Sequence, residues 1–172
     1  MTGRPFPALL IAAGAVVALL CPGGIVFGFV ATGWRDNAQP RPTATVGQPV
    51  RDRSLEFTVK SVHCGQMSIG SGPLMPTPSG QFCLVALSVR NTGTQQETFS
   101  DQNQKALTPD GTQYFDDSVA GIMASPDNPL AEPLDPGRHL DVTLVYDVPT
   151  NARINRLQLH DSAFTDGVEV TV

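Results

Sequence analysis

Residues 139–149 fix what the carboxyl-terminal half can become. Leu140, Val142, Leu144, Tyr146 and Val148 alternate with His139, Asp141, Thr143, Val145 and Asp147, and Pro149 follows. Period two over ten residues is a strand with one buried face, because successive side chains leave a strand on opposite sides. A helix would turn Val142 away from Leu140 and Leu144. Pro149 has no N–H for a ladder and stops the strand.

The same pattern recurs between turn signals. Leu55, Phe57 and Val59 alternate with Glu56, Thr58 and Lys60; Val62 and Cys64 continue on the other parity, which predicts a bulge near Lys60 and Ser61. Phe82 to Asn91 carries Cys83, Val85, Leu87 and Val89 on one face, with Phe82 and Leu84 making its start apolar on both. Weaker strands are predicted over Gln96–Phe99, Gln104–Leu107 and Thr112–Phe115, and further ones over Ile154–Leu159 and Val168–Val172. Asn91-Thr92-Gly93, Thr108-Pro109-Asp110-Gly111 and Leu134-Asp135-Pro136-Gly137 read as turns, with Pro fixing φ and Gly permitting positive values. Asp116 to Pro133 lacks strand periodicity. Ser118–Ala124 reads as one or two helical turns capped by Asp117 or Ser118. Seven to nine short strands among 16 glycines and 15 prolines, with no long amphipathic helix, predict an all-β, antiparallel β-sandwich over residues 45–172.

The amino-terminal end obeys other rules. Pro5 to Trp34 contains no charged side chain, and all but one of the 27 charged residues lie beyond it. After a short tail, residues 1–7, the apolar run Ala8–Ala31 would rise ~36 Å as a helix, enough to cross a ~30 Å hydrocarbon layer. Residues 8–33 therefore read as a transmembrane signal anchor, with Cys21-Pro22-Gly23-Gly24 loosening its middle. A cleaved signal ending at Gly33 and a lipoprotein signal ending at Cys21 are the alternatives; the run exceeds the ~7–15 apolar residues of an ordinary signal peptide. Residues 34–44 read as a Pro-rich, semi-rigid linker.

Of three cysteines, Cys21 lies in the apolar run. Cys64 and Cys83 remain as an even pair flanking a segment rich in Gly and Pro. A disulfide between them would contribute ~3 kcal/mol and places the domain in an oxidising compartment, outside the cytoplasm. Two unrelated buried thiols are the other possibility. No second Cys or His pair has zinc-ligand spacing.

Past Ala44 there are eight basic and fifteen acidic residues, a net charge of −7. That surface repels phosphate backbones and disfavours nucleic-acid binding. His63, His139 and His160 are far apart, with His139 on a solvated face. His63 with Met67 and Met75 has ligand chemistry for Cu(I), but methionines in a flexible loop are commonly incidental. Glu97–Asp135 holds eight acids and one base, Lys105. Its spacing matches no EF-hand, so it reads as a solvated acidic face rather than a cation site. There is no Gly-x-Ser-x-Gly elbow and no phosphate-binding Gly loop. Asp116 and Asp117, being adjacent, should point apart. Tyr146 should lie in the core with its hydroxyl satisfied at a strand end. No catalytic residue, cofactor or metal is expected.

The order Val-Gly-Gln-Pro-Val (46–50), Leu-Glu-Phe-Thr-Val-Lys-Ser-Val (55–62), Gly-Gln-Phe-Cys-Leu-Val (80–85), Val-Arg-Asn-Thr-Gly (89–93), Leu-Thr-Pro-Asp-Gly-Thr-Gln-Tyr (107–114), Leu-Asp-Pro-Gly (134–137) and Val-Tyr-Asp-Val-Pro (145–149) resembles the telokin-like, immunoglobulin-like extracytoplasmic domain family of unknown function common in actinobacterial envelopes. That family is similar in fold to small secreted immunoprotective extracellular antigens. The resemblance covers about 45–172. It implies a secreted or anchored immunoglobulin-like sandwich and transfers no catalytic residue. The sequence thus leads to a membrane-anchored, extracytoplasmic, non-enzymatic module. An unknown envelope or extracellular protein is its expected partner, contacted through edge strands and the 65–80 and 116–133 loops. The alternative is an envelope metal-handling protein or an uncharacterised enzyme.

Overall fold

The computed structural model describes residues 41–70, 75–127 and 131–172. The expected tail, anchor and most of the linker lie outside the described residues. Among those described, no helix is long and apolar enough to cross a membrane.

The described residues form eleven strands. They are β1 (Thr43–Thr45), β2 (Pro49–Asp52), β3 (Leu55–Gln66), β4 (Gln81–Asn91), β5 (Glu97–Ser100), β6 (Lys105–Leu107), β7 (Gln113–Phe115), β8 (Ala131–Leu134), β9 (His139–Val148), β10 (Arg156–Leu159) and β11 (Val168–Thr171). A 3-10 turn covers Asp101–Asn103, and one helix, α1, covers Ser118–Ala124. One sheet has the order β2-β3-β4-β9, another β1-β11-β10-β6-β7, and β5 pairs with β8 as a short ribbon. The fold is an all-β sandwich.

The alternation in the sequence becomes the core. Phe57, Val59, Val85, Leu87, Val89, Val142, Leu144 and Tyr146 from the four-stranded sheet pack with Ala106, Leu157, Leu159, Val168 and Val170 from the five-stranded sheet. Burying each large side chain stabilises by ~1.5–3 kcal/mol. The expected slip near Lys60 is present: β3 and β4 stay in register except at shifts between Val59 and Ser61 and between Cys64 and Gln66. Where Phe82 and Leu84 are apolar on both faces, the outer face is covered too. Phe82 and Val145 meet Ile69 and Ala120 there.

Several expectations change, and a strand the sequence reading did not name, β2, runs along Pro49–Asp52. Thr43 and Ala44, read as linker, form β1, which pairs in parallel with β11 at Thr43↔Glu169 and Ala44↔Val170; the sandwich is therefore antiparallel except at this one edge. Ala131–Leu134, read as irregular, is β8, a short strand that carries Pro133 at the edge position a proline tolerates. Ile154 precedes β10, and Val172 follows β11 and is exposed. The helix is where the spacing put it, with Asp117 as its cap accepting from the Ala120 N–H at 3.0 Å.

Candidate functional site

Cys64 and Cys83 face each other across β3 and β4 and are joined by a disulfide. The other residues singled out in the sequence disperse. His63 and His139 are exposed and His160 is buried. Met67 and Met75 are exposed. Among the described residues, no three His, Cys, Asp or Glu side chains converge as metal ligands.

A cleft of about 470 Å³ opens at one end of the sandwich, between the β6–β7 turn and the β9–β10 connection. Both walls are held rigidly. On one side the Asp110 carboxylate accepts from the Thr108 hydroxyl at 2.5 Å and from the Thr112 hydroxyl at 3.1 Å. The Thr108 hydroxyl, with the Thr112 backbone and side chain, holds that carboxyl below the usual aspartate range. On the other side, the Gln81 amide donates to the carbonyls of Pro149, Thr150 and Ala152 at 3.1–3.2 Å. Asn155 N–H to Leu107 O, 3.0 Å, ties the walls together. The rim presents Pro109, Tyr114, Pro149, Asn151 and Arg153. Among the described residues, nothing engages the Arg153 guanidinium, the Asn151 amide or the Tyr114 hydroxyl. A rigid, mostly apolar cleft with a few unspent polar groups can seat a ligand with little ordering cost.

A second cleft, about 290 Å³, is bordered by Arg41, Asp52, Arg53, Phe164 and Thr165. Two of its polar groups, Asp52 and Thr165, are structural. Asp52 accepts from the Asp161 N–H at 2.8 Å and from the Thr165 hydroxyl at 2.5 Å. Asp161 in turn accepts from the N–H groups of Ser54 and Leu55. This reciprocal clasp fixes the β10–β11 loop to the β2–β3 turn. Burial lowers the His160 imidazole below its usual range, and its ring fits only because residue 167 lacks a Cβ, which would lie 2.7–2.9 Å from three ring atoms. The same loop carries Phe164, which is 94% exposed.

The third feature is an acidic cluster in which Asp101 is buried and Asp116 and Asp117 are half-buried. Asp116 accepts from the Val145 N–H at 2.6 Å, and Asp117 N–H donates to Val145 O at 2.7 Å. Asp101 accepts from the Ser118 hydroxyl at 2.6 Å. Asp101 acts on the Asp116 carboxyl both through its charge and through a side-chain hydrogen bond. Burial, then Asp101, push Asp116 up to about 8. Asp116 and Asp117, adjacent in sequence, accept from different partners, the Val145 N–H and the Ala120 N–H. The convergence of Asp116 with Asp101 was not legible, and neither was that of Tyr114 with Arg153; each pair is brought together by sheet topology rather than spacing. The Tyr146 hydroxyl, expected to be satisfied, is buried without a hydrogen-bond partner.

No curated protein matches the chain in sequence. Solved structures share its fold. MPT63, a secreted protein from Mycobacterium tuberculosis, is 16% identical with a TM-score of 0.61, over 78% of this chain and 100% of that one. The yjhA protein from Bacillus subtilis is 12% identical with a TM-score of 0.57, over 74% and 98%. A conserved hypothetical protein from Bacillus anthracis is 13% identical with a TM-score of 0.52, over 73% and 94%. At such identities the likeness is one of fold. The sequence itself matches one family model over residues 44–170, and the chain belongs to that family, the domain of unknown function DUF4352.

Proposed function

We propose that this protein is a non-enzymatic binding module of the cell envelope. In this reading it is an immunoglobulin-like sandwich of the telokin-like kind, held outside the cytoplasm by a single-pass helix over residues 8–33. The observation that carries it is the cleft beside Tyr114 and Arg153. Its walls are fixed by internal hydrogen bonds, yet its rim keeps a guanidinium, a carboxamide and a phenol unspent. The Cys64–Cys83 bond supports an oxidising location, and the uncharged run Pro5–Trp34 supports the anchor.

One experiment tests location and cleft together. Intact cells are treated with a membrane-impermeant crosslinker, and the protein is recovered with whatever it has captured. The wild type should be labelled and should carry a discrete partner. Arg153→Ala and Tyr114→Ala should each reduce that capture about tenfold, the loss of ~1.4 kcal/mol of contact. Labelling that needs broken cells would end the extracytoplasmic reading. Capture unchanged by both substitutions would end the assignment of the cleft.

A further inference from the structure

We propose that Asp101 and Asp116 form a proton-operated latch, in which one proton held between their carboxyl groups keeps α1 and the segment before it docked on the edge of β9. The inference starts from hydrogen-bond accounting. Asp116 uses one oxygen to accept from the Val145 N–H. Its other oxygen is buried and receives no N–H or O–H. A buried carboxylate oxygen without a donor is costly; the same oxygen carrying a proton becomes a donor and needs an acceptor instead. The Asp101 carboxyl is that acceptor. It is almost fully buried at 2% exposure and lies within reach. Its two oxygens already accept from the Gln102 N–H at 2.7 Å and the Ser118 hydroxyl at 2.6 Å. Two carboxylates at this range in a buried place cannot both be ionised cheaply, and a shared proton resolves the conflict.

The pair sits where three elements meet. Asp101 belongs to the 3-10 turn after β5, Asp116 to the segment between β7 and α1, and Ser118 is the first residue of α1. The charged and titratable groups facing Asp116 are few. Asp101 faces it from the turn and Asp117 from its own segment, and both disfavour its ionisation. From β9, the buried Tyr146 phenol feels both Asp116 and Asp101 and is itself pushed well above the ordinary tyrosine range, chiefly by burial. No cation among these groups offsets a second negative charge. The unpartnered Tyr146 hydroxyl lies in the same electrostatic neighbourhood, and Asp116 itself is half-buried.

Loss of the proton converts a hydrogen bond into a buried repulsion. The contacts exposed to that repulsion are those that dock α1: Asp116 to Val145 N–H, Asp117 N–H to Val145 O, Ser118 to Asp101, and Ala120 over Val145. The core between the sheets is not among them. Release is therefore local. It uncovers the edge of β9 and moves the outward side chains of α1, including Val119, 67% exposed.

Amide hydrogen exchange on the full-length protein in detergent reads the latch directly. Protection factors, which remove the intrinsic pH dependence of exchange, are followed at Val145, Ala120 and Gly121 from pH 5 to 9.5, with Val85 and Leu87 of β4 as internal controls. Protection at the three latch amides should fall about tenfold per pH unit up to about pH 8 and then level off, because opening releases one proton. Val85 and Leu87 should hold. Asp116→Asn supplies a carboxamide that accepts from Val145 and donates to Asp101 at every pH, so its latch amides should be protected and flat. Asp101→Asn, which removes the facing charge, should move the levelling point to lower pH. If the wild-type latch amides keep constant protection across the range, the latch does not exist. A wild-type slope reproduced by Asp116→Asn would overturn it equally. Should either variant fail to fold, the carbon-13 shift of the Asp116 side chain in the wild type decides: titration near the usual aspartate range overturns the proposal, and titration near pH 8 sustains it.

Discussion

Tyr146 shows how a residue can be right for its fold and wrong for its polarity. Its ring is fully buried and fills the core opposite Cys83, as the alternation of β9 demands. Its hydroxyl reaches a buried position with no partner. A buried, unpaired hydroxyl costs about 1–3 kcal/mol, more than an average made hydrogen bond returns. Tyr146→Phe should therefore raise the free energy of unfolding by about 1 kcal/mol, measured by urea denaturation with an unchanged m-value. A loss of stability would mean that the hydroxyl has a bonding role. Asp141 is the counterexample on the same strand. It is exposed and paired with the Lys60 ammonium at 2.7 Å, which holds its carboxyl below the usual range, but a solvent-screened pair of this kind adds little.

At the scale of elements, β4 and β9 carry the architecture, and the connection into β4 is its tightest point. Asp147 accepts from the N–H groups of Ser79 and Gly80 at 2.7 and 3.1 Å. A Cβ at residue 80 would lie 2.2 Å from the Val148 carbonyl oxygen. Backbone cannot yield there without losing the Asp147 contacts, so Gly80→Ala should destabilise by about 1–3 kcal/mol. Thermal denaturation checks this, with Gly47→Ala for comparison: a Cβ there meets nothing within 4 Å, so only its φ of +86° is strained. Equal effects would show that crowding at residue 80 is relieved by adjustment. The strongest strands were legible because one residue in two is apolar over eight or more positions. β3 even announced its bulge through a change of parity, and Phe82 and Leu84 marked a strand start apolar on both faces, which a second packing layer covers. What escaped was short. β1 is three residues long and lies in a Pro-rich stretch, β2 is four residues opening on Pro49, and β8 is four residues with Pro133 inside. Their pairing is decided by the partner strand, not by their own pattern, so no local signal exists to find them. The cleft escaped for the same reason: Tyr114 and Arg153 are brought to one rim by the crossing from the four-stranded to the five-stranded sheet.

For the whole molecule, one titration should dominate the response of stability to pH at neutrality. Unfolded, Asp116 releases its proton near ~3.9; folded, burial beside Asp101 holds it to about 8. Between those values the native state binds the extra proton, so stability falls as pH rises. The contribution is complete below pH ~4 and gone above pH 8. His160, held neutral by burial, has the opposite sign and costs stability as pH falls through the usual imidazole range. The melting temperature should accordingly fall from pH 7 to pH 8.5, and Asp116→Asn should abolish most of that fall. A melting temperature that climbs over this interval would contradict the assignment. The net charge of −5 gives no such local slope, because dispersed surface charges are screened.

The parallel pairing of β1 with β11 also determines how the domain bears force. Residue 42 enters β1 and Val172 leaves β11 at opposite ends of one short ladder, with Glu169 N–H on Pro42 O at 3.0 Å and Arg41 on Glu169 at 3.2 Å. Tension drawn between the two chain ends runs along that ladder, so its hydrogen bonds are loaded in shear and resist together. An antiparallel pair gripped at one end would instead open one bond at a time. Force applied between residue 41 and Val172 therefore meets a mechanical clamp, which must shear before the sandwich behind it bears load.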